Sequence, residues 1–305
     1  MPWFEHDGNR IAYAEHGEGP RPLVLLPGLL FSQRMQEPLA QTLAARGNRV
    51  ITLDPLGHGD SDRPRDMWRY SMTAFGGQVV GLLDHLGIEQ AVVGGASLGA
   101  NVTLEVAAAA PQRLRGMVLE MPVLDNALLG CAICFTPLMV SLTFGEPAMK
   151  LLQRVARVVP RRPLPLVPEI LLDWVSQDPG PSAAVLQGLF FGRIAPHRDL
   201  RRGFTTPSLV IGHKRDPIHP FSDADGLAAE LPQARLLNAD SIFELRTRPQ
   251  RLTAEIGDFV DACWKPTAAP GPTGASAAAT APRPRRRPRA RSGRSRARAQ
   301  PRASA

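Results

Sequence analysis

The stretch "GGASLGA", Gly94 to Ala100, sets Ser97 inside a G-x-S-x-G pentapeptide. That pattern carries chemistry when a strand leads into it and a helix leads out, because the sharp turn between them holds the hydroxyl clear of the backbone. Both flanks fit. Gln90 to Val93 reads as a short buried strand, and "LGANVTLEVAAAA" is rich in helix formers until Pro111 stops it. The glycines permit the turn with little side-chain obstruction. A glycine-rich turn of any α/β domain is the bland alternative. The chemical reading makes Ser97 a nucleophile, and a serine hydroxyl is a weak one unless a base takes its proton as it attacks.

The elements that must position Ser97 alternate along the chain. "WFEHDGNRIAYAEHG" reads as a hairpin turning at Asp7-Gly8, and "PLVLLPG" as a strand covered on both faces. A helix near Gln36 to Arg46, the strand "RVITLD", a glycine-punctuated loop "PLGHGDSDRP" and a helix from Met72 to Leu86 precede the serine. After it come the strand "GMVLEMP" and, later, "SLVIGHKRD", "ADGLAAEL", "ARLLNAD" and "RPQRLTAEIGDFVDACW" as strand, helix, strand and helix. Strict alternation implies an α/β fold, a mostly parallel central sheet with helices on both faces. The alternation fails between Pro122 and Gly203, where "AMKLLQRVARVV" and "PEILLDWVSQ" read as helices between prolines. The expected organisation is a core over 1–121 and 204–265, a helical cap over 122–203, and a tail over 266–305. Residues 126–145 carry no charge, long enough to raise a membrane span. Gly130, Pro137 and the hydroxyl residues make it a poor one, and a cap lining an apolar cavity is expected instead, with no membrane span.

Charge separates tail from body. The chain's 36 Lys and Arg exceed its 28 Asp and Glu, giving +8, but ten of the arginines and no acid lie in residues 266–305. The remainder therefore holds 26 basic against 28 acidic side chains, −2. The tail has almost no large apolar residue and is expected to be disordered. It would touch nucleic acid only through unspecific phosphate contacts, since no aromatic residue interleaves its arginines. Cys131, Cys134 and Cys263 cannot all pair, and "MPWFEHDGNR" has no apolar signal core, so a reducing cytoplasm is the expected compartment. Cys131 and Cys134 form a C-x-x-C inside an apolar run and read as buried structural thiols. Neither a metal nor a cofactor is expected.

The series "LLPGLL", "DPLGHGDSDRP", "GGASLGA", "GHKRDP" and a closing amphipathic helix resembles the α/β-hydrolase superfamily, over roughly residues 3–264. The resemblance implies Ser97 as nucleophile, Asp216 as acid, and an oxyanion hole from the backbone N–H groups of Leu98 and Leu29, with Pro27-Gly28 where relatives often have His-Gly. It also implies a histidine after the last strand, seven residues before a proline that begins the last helix. Ile242 stands there, seven before Pro249, and isoleucine can neither accept nor relay a proton. Of the seven histidines, His6, His16 and His85 suit solvated or packing roles, and His58 a structural one. His213 would orient the Asp216 loop, and His197 lies at the cap exit. His219, three residues after Asp216 in "DPIHP", is the most placeable base. Glu120 and Asp125 are alternative acids.

Two function classes follow. One is a serine hydrolase acting on a small or medium apolar ester or related acyl compound. The serine argues against the alkyl-enzyme chemistry of epoxide and haloalkane hydrolases, which needs an aspartate nucleophile. The other keeps the cavity without the reaction and binds an apolar ligand or a protein, as Ile242 suggests.

Overall fold

The computed structural model describes residues 1–160, 164–214, 216 and 218–265. The tail over 266–305 lies outside the described residues. Met1–Lys265 forms one compact unit.

Eight strands build a single sheet: β1 (Trp3–His6), β2 (Asn9–His16), β3 (Arg21–Leu26), β4 (Asn48–Leu53), β5 (Ala91–Ala96), β6 (Leu114–Glu120), β7 (Ser208–His213) and β8 (Ala234–Ala239). Their order is β1-β2-β4-β3-β5-β6-β7-β8. The β1/β2 and β2/β4 pairs are antiparallel, and every pair from β4 through β8 is parallel. Asp7 and Gly8 take positive φ at the β1/β2 turn, the left-handed geometry a two-residue hairpin needs. Side chains of a strand alternate faces, and both faces here are covered. Leu23, Leu25 and Val92 pack with α1 (Glu37–Ala45) and α11 (Gln250–Cys263). Val24, Leu26 and Val93 pack with α2 (Met72–His85), α3 (Leu98–Ala109) and α9 (Phe221–Glu230) on the other side. This double burial is why the central strands read as unbroken apolar runs.

Between β6 and β7 the chain forms α4 (Leu128–Phe144), α5 (Glu146–Val158), α6 (Leu166–Val175), α7 (Pro179–Phe191) and the short α8 (Arg198–Arg201). A further short helix, α10 (Glu244–Thr247), follows β8. Two anchors root the insert. Asp223 of α9 accepts from the backbone N–H groups of Leu124, Asn126 and Ala127 at 2.7, 3.1 and 3.0 Å. Asn101 of α3 donates to the Val123 and Ile194 carbonyls at 2.7 and 2.6 Å, tying together the chain entering and leaving the insert.

The cysteines differ from expectation. Cys131 is half-buried and Cys134 exposed, both as free thiols. The run around them is apolar on every face, yet only one face of α4 packs inward, with Leu142 its one fully buried residue. Composition reported hydrophobicity; it did not report which side found a partner.

Candidate active site

Ser97 closes β5 and opens α3 with φ 53° and ψ −109°, a conformation that costs energy for a residue with a Cβ. Its two flanking glycines are required by space. A Cβ on Gly95 would lie 2.6 Å from the Leu26 carbonyl oxygen, and one on Gly99 would lie 2.7 Å from that oxygen and 2.9 Å from that of Pro27. The motif thus lets the elbow press against the end of β3, where Leu29 follows.

The second component comes from the loop between β7 and α9. One carboxylate oxygen of Asp216 accepts from the backbone N–H groups of Ile218 and His219, at 2.8 and 2.9 Å, folding the loop around itself. The other lies 2.8 Å from His219 Nδ1. His219 Nε2 lies 2.8 Å from Ser97 Oγ. Burial pushes the Asp216 carboxyl upward, but the hydrogen bonds from the His219 ring and the loop backbone outweigh it and hold the group below the usual aspartate range. An ionised carboxylate only accepts hydrogen bonds, so Nδ1 carries the ring proton and Nε2 is left to accept from the serine hydroxyl. Asp216 is 2% and His219 14% exposed at the side chain, so water screens this series little.

A cavity of about 330 Å³ opens on Ser97. Leu29 and Leu98 line it beside the serine, and Val123, Phe135, Met139, Leu186 and Leu189 make most of its wall apolar. Leu98 is the first residue of α3, so its N–H belongs to the turn whose amides have no partner within the helix. Cys131 also lines the cavity, and burial pushes its thiol up to about 11, leaving it neutral.

The remaining candidates are placed elsewhere. Ile242 sits half-buried in the turn between β8 and α10. Glu120, fully buried at the end of β6, pairs with Arg246 Nη1, and Asp125 is exposed at the root of the insert. His213 is buried, with its Nε2 3.9 Å from Glu120 and both ring nitrogens without a hydrogen bond; burial lowers its pKa. His58 is buried on the edge of Phe75, its Nδ1 3.0 Å from the Leu56 carbonyl, and burial pushes it down to about 4. His85 stacks on Phe4, His16 approaches Thr52, and His6 approaches Asp7. His197 is exposed at the start of α8. Sequence reasoning missed Asn101, Asp223 and Arg246. Asn101 lies four residues after Ser97, hence on the same side of α3, and that spacing was the available signal; the other two left none. Among the described residues no cluster of His, Cys, Asp and Glu could hold a metal ion.

A family model for the α/β hydrolase fold matches residues 21–165. The enol-lactonase from Burkholderia xenovorans LB400 superposes with a TM-score of 0.69 at 25% identity, covering 85% of this chain and all of that one. The chain has the α/β-hydrolase fold. It is similar, at 35% identity over 257 residues, to the dihydrolipoyllysine-residue acetyltransferase component of the acetoin cleaving system of Pseudomonas putida, covering 77% of this chain and 61% of that protein. It is also 35% identical over 120 residues to a putative carbamate hydrolase, RutD, of Azorhizobium caulinodans, covering 39% of this chain and 43% of that one. The matches span less than two thirds of the length of these curated relatives.

Proposed function

We propose that the protein is a serine hydrolase that cleaves a small or medium apolar ester, lactone or related acyl compound. The observation that carries this is the unbroken series from Ser97 Oγ through His219 to Asp216, two contacts of 2.8 Å each. In the reaction, Ser97 Oγ attacks the acyl carbon while its proton passes to His219 Nε2. Asp216 holds the ring and balances the imidazolium charge. The backbone N–H groups of Leu29 and Leu98 receive the oxyanion, the step at which fixed dipoles contribute most. His219 then gives the proton to the leaving oxygen, and the acyl–Ser97 ester remains. Water, deprotonated by the same nitrogen, releases the acid and restores the serine. The apolar cavity, beneath a helical cap formed by the insert, supports an apolar acyl or alcohol group. The names of similar proteins, an enol-lactonase and a carbamate hydrolase among them, agree with acyl chemistry. Epoxide hydrolases are also among the relatives, but Ser97 at the elbow favours acyl transfer over alkyl-enzyme chemistry.

The test is labelling with a fluorophosphonate probe. Wild-type protein should label, and Ser97→Ala and His219→Ala should not. A folded wild type that stays unlabelled would instead support a protein that binds an apolar ligand without turning it over.

A further inference from the structure

The helix α4 is apolar on all sides, but the protein uses one. Phe135, Leu138 and Met139 pack inward against the core, and Leu142 is buried. Leu129, Ile133, Pro137, Val140 and Phe144 follow one another at i, i+4, i+8, i+11 and i+15, so they share one stripe of the helix. All five are exposed, Leu129 at 71%, Ile133 at 68% and Phe144 at 83%. A 17-residue helix is about 25 Å long, and this stripe runs its length. The apolar segment Asp125–Phe144 has a mean hydropathy of 2.0, yet only 11% of it is buried inside the protein. Water is a poor partner for such a face.

The next helix shows what a better partner would be. Across Gly145, α5 divides into three arcs. Met149, Gln153 and Ala156 face inward; Leu151, Leu152, Val155 and Val158 are exposed; Lys150, Arg154 and Arg157 form one edge beside the exposed apolar arc. From Asn126 to Pro160 the sequence holds those three cations and a single acid, Glu146, which Lys150 and Arg65 already neutralise. A second copy of this chain would set cations against cations across a shared face. Anionic lipid headgroups complement them, with acyl chains accepting the apolar side chains. A helix with an apolar face and a cationic edge settles in the boundary between headgroups and chains.

We propose that the outward faces of α4 and α5 dock the protein on an anionic lipid surface. The helices lie on the membrane and do not cross it, because the inner face of α4 is committed to the core. Leu128, 49% exposed, also lines the cavity on Ser97, so the docked helix borders both lipid and cavity. The proposal does not depend on Ser97 being a nucleophile.

Vesicle co-sedimentation of the full chain tests it, with phosphatidylcholine vesicles beside ones containing phosphatidylglycerol. Wild type should bind the anionic vesicles. The double variant Ile133→Glu, Phe144→Glu should bind at least about tenfold more weakly, since each buried apolar side chain is worth roughly 1.5–3 kcal/mol, with an unchanged melting temperature because both positions are exposed. Arg154→Gln should lower the preference for anionic vesicles about fivefold. The arginine-rich tail is intact in every protein compared, so it cannot produce these differences. Equal binding by wild type and the double variant would assign binding to the tail and overturn the proposal. So would an Arg154→Gln protein with undiminished preference, or no vesicle binding. A wild-type dimer that Ile133→Glu converts to monomers, without lipid binding, would show instead that the face joins two copies.

Discussion

His219 reaches Ser97 from the loop that carries Asp216, three residues after that carboxylate and one strand earlier than the superfamily resemblance implies. If it is the base, His219→Ala should reduce kcat/KM for a model ester by about 10²- to 10⁴-fold, the usual contribution of general-base assistance. Ile242→His, which fills the seat that resemblance leaves empty, should bring no gain in a protein where Ser97 Oγ already has a partner at 2.8 Å. Steady-state kinetics on the two variants check both. Ser97 was legible through its two glycines, whose residue type is dictated by the close approach of the elbow to β3. His219 was legible as a candidate from its place three residues after Asp216, but its reach to Ser97 was not, because that depends on how the loop folds onto the Asp216 carboxylate, which leaves no periodicity in sequence. A second prediction belongs to His58. With its pKa pushed down to about 4 by burial against an unfolded value near 6.5, the unfolded chain binds the extra proton first. Stability from keeping this ring neutral is therefore complete above about pH 6.5 and is lost as pH falls toward 4, amounting to roughly 3 kcal/mol over that window. Urea unfolding at pH 7 and pH 5 should show the loss, and His58→Asn should flatten it.

At the scale of elements, the elbow depends on how closely α3 approaches β3. In Gly99→Ala the new methyl would meet the backbone oxygens of Leu26 and Pro27 at under 3 Å, and neither can rotate aside. The helix or the strand end must move, which should cost about 1–3 kcal/mol and shift Leu29 along with it. A lowered melting temperature together with a fall in kcat is expected; loss of stability alone would separate the packing from the site. The same contrast decides what was readable. Strands β3 to β7 announced themselves because both faces are buried. The insert was harder, because α4 carries Pro137 inside it and α7 begins with Pro179 and Pro181 in its first turn. Helix was expected there from stretches such as those forming α5 and α6, while the outward exposure of α4, and hence of Cys134, required the packing itself.

For the whole molecule, the compact unit Met1–Lys265 holds every residue placed at the site. Removing residues 266–305 changes the formal charge from +8 to −2, since ten arginines leave and no acid does. Calorimetry and ester hydrolysis should be unchanged by the deletion, while retention on a polyanionic resin should fall sharply. A marked drop in melting temperature would show that the tail packs against the body.

Asp216 and His219 ride on one loop, and this changes how the molecule tolerates distortion. An acid and base carried after different strands must both keep station with the elbow, so three parts of the sheet have to stay aligned. Here Asp216 and His219, the proposed acid and base, are fastened to each other by local hydrogen bonds, and one joint, from the β7 loop across β6 to the β5 elbow, sets the geometry. The turn after β8 is released from that alignment. A change of even one residue between His213 and Phe221 should put Asp216 and His219 out of step with Ser97 together, whereas the turn after β8 carries neither of them.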